Sequence, residues 1–154
     1  MDMIKLSVPG TLLYRDVVLR VAASSCRLVR SIALATRDKQ EASRERQSFD
    51  DEVVSAVGEA FNNVAIHAYR GRAAGTVELE FEIGEEGITI RILDTGASFE
   101  PAHEQAPDLA SLPESHMGLF IVRSFMDTVS YERGSPPARP NALTLTKRYV
   151  TAGR

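Results

Sequence analysis

The sequence predicts an α+β protein, a two-layer sandwich in which a mostly antiparallel sheet carries helices on one face. Three observations support this. Two neighbouring segments, Thr76 to Ile83 and Ile88 to Leu93, alternate apolar and polar residues around a Gly84-Glu85-Glu86-Gly87 turn, as a hairpin with one buried face should. Two longer segments, Leu12 to Leu34 and Phe49 to about Tyr69, repeat their apolar residues at helical spacing. The predicted strands cluster along the chain and do not alternate strictly with helices, which argues against a parallel βαβ sheet.

The 154 residues suit a single domain, 1–154, with one core. A net charge of −3 provides no basic field, so nucleic acid and membrane surfaces are not expected partners. One cysteine, Cys26, excludes a disulfide framework and a cysteine-rich zinc site; its neighbours Val21, Ala22, Leu28 and Val29 suggest a buried thiol. No leader-like segment or membrane span is recognisable, so a cytoplasmic location is expected.

In chain order, Ile4 to Val8 is expected as a strand that stops at Pro9-Gly10. The first helix presents Leu13, Val17, Val18, Val21, Leu28 and Ile32 as its apolar residues. Thr36 to Gln47 is densely charged and reads as a solvated connector or an exposed helix end. The second helix follows Phe49, with Asp50 and Asp51 suited to its positive N-terminal end. After the hairpin, Thr95 to Ser115 is rich in Pro, Ala, Ser and acids, and has the length of a functional lid. Met117 to Met126 is expected as a helix, Thr128 to Glu132 as a strand, Gly134 to Asn141 as a loop, and Ala142 to Val150 as the last strand.

The second helix carries the most chemistry. Val53, Val57, Ala60, Val64 and Ala68 form its core stripe. Glu59, Asn63 and His67, four residues apart, form a row flanking that stripe, where a half-buried carboxylate and amide need partners. The Asn63 carbonyl oxygen suits Mg, and Glu59 one turn earlier could orient or deprotonate a hydroxyl. Spacing alone fits equally well a surface row that pairs with its neighbours, and His67 fits packing better than ligation. Asp94-Thr95-Gly96 ends a buried strand, where an acid can accept from an exocyclic amine and a glycine permits close approach; an ordinary strand-ending turn has the same composition. Met117-Gly118-Leu119 opens a helix whose free N–H groups could attract phosphate, although an apolar helix with an incidental glycine also fits.

The order Glu-x-x-x-Asn-x-x-x-His, strand-Asp-x-Gly, lid, Met-Gly-Leu-x-Ile-Val resembles the Bergerat-fold, or GHKL, ATPases. Within them the chain is most similar to the small anti-sigma factor serine/threonine kinases of bacterial partner-switching systems, through GEAFNNVAIHAY, MGLFIVRSFMDTVSY and NALTLTK. The resemblance runs from Ile4 to Tyr149. It implies Glu59 as the catalytic glutamate and Asn63 as the Mg ligand. It also implies His67, Asp94, Gly96, Met117, Gly118 and Leu119 as contributors to the ATP site. The implied reaction transfers the γ-phosphoryl group of ATP to a serine or threonine of a STAS-domain anti-anti-sigma factor. The implied second partner is a sigma factor, held inactive until the antagonist displaces it, and the resemblance implies a homodimer.

Two motifs depart from the family pattern. Asp94-Thr95-Gly96-Ala97-Ser98 has Ser98 where a second glycine is usual, and Ser115-His116 stand where glycines usually precede Met-Gly-Leu. Both changes narrow backbone freedom beside the expected phosphates, although a cationic His116 could donate to one. They motivate a rival expectation: a partner-switching binding module that keeps the fold without phosphorylating. A third expectation, ATP hydrolysis coupled to a conformational cycle, is disfavoured by the small size of the chain.

Overall fold

The computed structural model describes residues 1–35, 43–97 and 114–149. Its strands are β1 (Asp2–Pro9), β2 (Thr76–Gly84), β3 (Gly87–Asp94), β4 (Thr128–Glu132) and β5 (Asn141–Arg148). Its helices are α1 (Arg15–Ala35), α2 (Ser43–Asn63) and α3 (Glu114–Phe125), with a 3-10 turn at Leu12–Tyr14 and a π-helical turn at Val64–Ala68. The sheet order is β1-β2-β3-β5-β4, and every pairing is antiparallel among the described residues. The expected α+β sandwich is therefore present.

Strand periodicity sets the two layers. Val77, Leu79, Phe81 and Ile83 of β2, with Ile88, Ile90 and Ile92 of β3, all point to one face and are buried. Leu143 and Leu145 of β5 continue that face, since they pair with Ile92 and Ile90. The opposite face carries Lys5, Glu80 and Arg91 side by side across β1, β2 and β3. Glu80 accepts from Arg91 at 3.0 Å and lies 3.7 Å from Lys5 Nζ, a charged row suited to solvent.

The helices cover the apolar face, with α2 between α1 and α3. The predicted stripe of α2 holds: Val53, Val57, Ala60, Val64 and Ala68 are all buried. The apolar set of the first helix holds in part: Val18 is buried and Val21 and Ile32 pack against the core, whereas Val17 and Leu28 are exposed, as is Leu13 in the preceding 3-10 turn. Ala22, Cys26, Val29 and Ala33 complete the buried face. Small side chains let α1 approach α2 and the sheet closely, so the bulky residues turn outward.

The start of α2 also differs from expectation. The helix begins at Ser43, so Asp50 and Asp51 lie within it and not at its positive end. Asp50 instead forms an ion pair with Arg30 of α1, both largely buried. Residues 36–42 of the charged stretch, and 98–113 of the expected lid, lie outside the described residues. At the far end of the fold, Lys147 Nζ donates to the Phe125 carbonyl and reaches Glu52, each at 2.5 Å, tying β5 to the end of α3 and to α2.

Candidate nucleotide site

The expected site residues come from three elements: α2, the end of β3 and α3. Helix α3 begins at Glu114, so Met117-Gly118-Leu119 lie within it and do not open it with free N–H groups as expected. On α2, Glu59 is half-buried and Asn63 is 8% exposed. Neither side chain has a hydrogen-bond partner among the described residues. A nearly buried amide and a half-buried carboxylate without protein partners are costly unless water or a ligand meets them.

Gly118 of α3 lies directly against this pair. A Cβ there would fall 2.9 Å from Glu59 Oε2 and 3.7 Å from both the Nδ2 and Oδ1 atoms of Asn63. A side chain at 118 would press on the carboxylate and come into contact with the amide, so the glycine lets α3 pack against both groups. Leu119 beside it is buried. The side chains of Ser115, His116 and Met117 lie outside the described residues.

The end of β3 is built from a different set of bonds. Asp94 is 3% exposed, and its Oδ1 accepts from the Gly96 N–H at 3.0 Å and from Asn141 Nδ2 at 3.1 Å. Burial pushes the Asp94 carboxyl above its ordinary pKa, opposed by these two donors. Asn141 Nδ2 also donates to the Gly96 carbonyl at 3.0 Å, and Asn141 Oδ1 accepts from the Gly134 N–H at 2.9 Å. The Tyr69 hydroxyl accepts the Thr95 N–H at 3.2 Å and donates to the Thr76 carbonyl at 3.3 Å. The Asp94-Thr95-Gly96 turn is thus clamped from β5 on one side and from the end of the α2 helix on the other.

That clamp depends on the π-helical turn. Ala68 closes it, and its carbonyl accepts the Ala97 N–H at 2.7 Å. A Cβ on Gly96 would lie 2.2 Å from the same Ala68 oxygen, so only glycine lets the chain cross the helix end here. Close approach was expected of Gly96; the surface it approaches in the structure is the backbone of Ala68. The π turn also changes the row read from the sequence. Glu59 and Asn63 share an α-helical face, but His67 falls within i→i+5 bonding and leaves that regular spacing. His67 is half-buried and its Nδ1 lies 3.3 Å from Arg70 Nη2. A guanidinium only donates, so this nitrogen accepts.

The structure therefore brings Glu59, Asn63 and Gly118 to one point. It sets Asp94 and Gly96 at the end of the same helix and directs His67 toward Arg70. Asn141 was not singled out from sequence. The available signal was its phase: it continues the inward positions Leu143 and Leu145, where a polar residue needs a buried partner. Arg15 was missed as well; its Nε donates to Asn62 Oδ1 at 2.9 Å and holds α1 against the helix that carries Asn63.

A family model described as the histidine kinase-like ATPase domain matches residues 20–147, and the chain belongs to that family. The GHKL character expected from the motifs is borne out. Among named relatives, the anti-sigma F factor of Clostridium beijerinckii is 37% identical over 94 residues, covering 55% of this chain and 64% of the relative. The anti-sigma F factor of Clostridium acetobutylicum is 34% identical over 107 residues, covering 65% and 71%. The serine-protein kinase RsbW of Oceanobacillus iheyensis is 36% identical over 83 residues, covering 48% and 52%. The chain spans about half to two thirds of the length of most relatives it matches. Among the described residues, no helix is long and apolar enough to cross a membrane.

Proposed function

We propose that this chain binds ATP with Mg and transfers the γ-phosphoryl group to a serine or threonine of a STAS-domain antagonist. We further propose that it holds a sigma factor inactive until that antagonist displaces it. The observation carrying this proposal is the convergence of the unpaired Glu59 carboxylate and Asn63 amide on the glycine at 118. The names of the relatives support the kinase and anti-sigma roles.

The donor set fits a phosphate-borne Mg ion. Among the described residues no cluster of three acidic, His or Cys side chains could cage a metal, and Asn63 offers one neutral oxygen. Mg characteristically takes one or two protein ligands, with phosphates and waters completing its shell. When bound, it would neutralise phosphate charge during transfer.

Each protein group then has a task. Asp94 accepts the exocyclic amine of adenine on Oδ2, because the hydrogen bonds from the protein fall on Oδ1. Gly96 and Ala97 keep that acid seated against the end of α2. Gly118 leaves room for the phosphates beside Asn63, and the N-terminal part of α3, with Met117 and Leu119, lies along the nucleotide. His67 supports the wall through the turn it shares with Arg70. Glu59 orients the attacking hydroxyl and takes its proton, the chief chemical help that a positioning mechanism of phosphoryl transfer requires.

The test is transfer from γ-labelled ATP to a purified STAS-domain antagonist. Glu59→Ala should retain ADP binding and lose transfer by about 100-fold or more. Undiminished transfer would remove Glu59 from the mechanism. The rival binding module is favoured by Ser98 and His116, where the family pattern has glycines. It predicts a stable complex with the antagonist and no phosphoserine on it.

A further inference from the structure

We propose that Asn141 is a positioning residue for base recognition: its amide fixes Asp94 in one orientation and leaves only Oδ2 to accept from a bound base. This rests on the nucleotide proposal above and adds a residue, on a different strand, that governs how the acid functions.

The orientation of the Asn141 amide follows from its partners. The Gly134 N–H can only donate, so the atom 2.9 Å away must be the Asn141 oxygen. The nitrogen is then committed to the other side, where it meets Asp94 Oδ1 at 3.1 Å and the Gly96 carbonyl at 3.0 Å. Both amide protons and the amide oxygen are used. Asn141 is 1% exposed and Asp94 3%, and they face each other in the β3–β5 register, so neither has room to exchange partners with solvent.

This arrangement imposes a polarity. An amide nitrogen cannot accept, so Asp94 Oδ1 cannot carry a proton toward it. The Gly96 N–H makes the same demand on the same oxygen. Two donors on one oxygen hold a buried acid in its accepting form against the desolvation that favours the neutral acid. Of the titratable groups on neighbouring elements, Tyr69 engages Thr95 and His67 lies against Arg70, while Glu59 is farther along α2. None of these is among the causes of the Asp94 shift, so control of the acid falls to Asn141 and Gly96. A carboxylate held in this way selects a base that presents an amine and rejects one that presents a carbonyl oxygen at that place. Because Asn141 also holds Gly134, one side chain ties the β4–β5 loop to the acid.

The test compares the full-length wild type with Asn141→Asp, using ADP with Mg as the probe in calorimetry between pH 7 and 9. The substitution keeps the shape and the acceptor for Gly134, but replaces the donor facing Asp94 with a second carboxyl. Two buried carboxyls in contact share one proton, and the pair loses it only well above the ordinary carboxylate range. While the proton is present, the new carboxyl donates it to Asp94 Oδ1 in place of the amide, and the bond to the Gly96 carbonyl is lost at every pH. Wild type should therefore bind ADP equally across this window. Asn141→Asp should lose about tenfold or more as the pH rises and the shared proton departs. Parallel profiles for the two proteins would overturn the proposal.

Asn141→Ser provides a second arm that introduces no charge. With a donor removed, Asp94 takes up a proton more readily, so its acid-side loss of ADP affinity should begin at higher pH than in wild type. An unmoved acid edge would overturn the proposal. Carbon-13 titration of the Asp94 carboxyl in the nucleotide-free proteins separates this inference from the reading beneath it. An Asp94 titration identical in wild type and both variants sinks the positioning role whether or not ADP binds. A wild type that binds no ADP sinks the nucleotide reading, and base recognition with it, even where the Asp94 titration moves.

Discussion

Gly118→Ala is the most informative single substitution, because it should separate stability from activity. The added methyl would sit 2.9 Å from Glu59 Oε2, and the next atoms, at 3.7 Å, belong to the Asn63 amide. All three are ends of side chains, so the backbone need not move and the fold should survive. Gly118 lies in the interior of α3, where replacing glycine by alanine contributes about 0.5–1 kcal/mol through helix propensity and reduced freedom of the unfolded chain. For a chain of this size that corresponds to a rise in Tm of roughly 1–4 °C. The carboxylate, however, must swing away by several tenths of an ångström, and the methyl fills the space beside Asn63. A misplacement of about 1 Å costs roughly 100-fold in rate, so a shift of several tenths costs about tenfold. Differential scanning calorimetry should show Tm unchanged or raised, and label transfer from γ-labelled ATP should fall by about tenfold or more. A variant that is equally stable and equally active would refute the assignment of Glu59 and Asn63 to the reacting phosphates. A variant that unfolds would refute the packing on which the assignment rests.

Gly96→Ala should behave in the opposite way. Its Cβ would meet the Ala68 carbonyl oxygen at 2.2 Å, which is backbone and cannot yield cheaply. A loss of about 1–3 kcal/mol is expected in urea unfolding, together with faster amide exchange at Ala97 as its bond to Ala68 breaks. Arg30→Met should expose the cost of a buried acid left alone. Burial already raises the pKa of Asp50, and Arg30 is the chief group lowering it. Without Arg30 the folded-state pKa rises further. The ionised form is then penalised above that pKa, and the penalty fades as pH falls and the carboxyl takes a proton. Unfolding free energy should drop by about 3 kcal/mol at pH 7 and recover at least in part by pH 5. A loss independent of pH would refute the electrostatic account.

Legibility from sequence varied with the kind of constraint involved. The hairpin was readable because period-two alternation at Val77, Leu79, Phe81, Ile83, Ile88, Ile90 and Ile92 depends only on which face is buried. The core stripe of α2 was readable for the same reason at a period of 3.6. The face of α1 was readable only in part: Val18, Val21 and Ile32 lie on it, but hydrophobicity also favoured Val17 and Leu28, while packing required Ala22, Cys26 and Ala33. How closely two helices approach is a property of both, and a pattern within one of them does not record it.

The row Glu59, Asn63 and His67 marks the same boundary. Its spacing and the two later motifs, read from sequence alone, placed the chain among GHKL ATPases and identified the segments to be brought together. Short-range patterns suffice for this, because residue type and interval decide which side of a helix or strand a group occupies. Tertiary structure decided the remainder. A π-helical turn took His67 out of the row toward Arg70, and α3 carried Gly118 up to Glu59 and Asn63. The β3–β5 register placed Asn141 opposite Asp94, where its amide could act on that acid. Each of these is a meeting of groups distant in the chain, governed by close packing and by the need of buried polar atoms for partners.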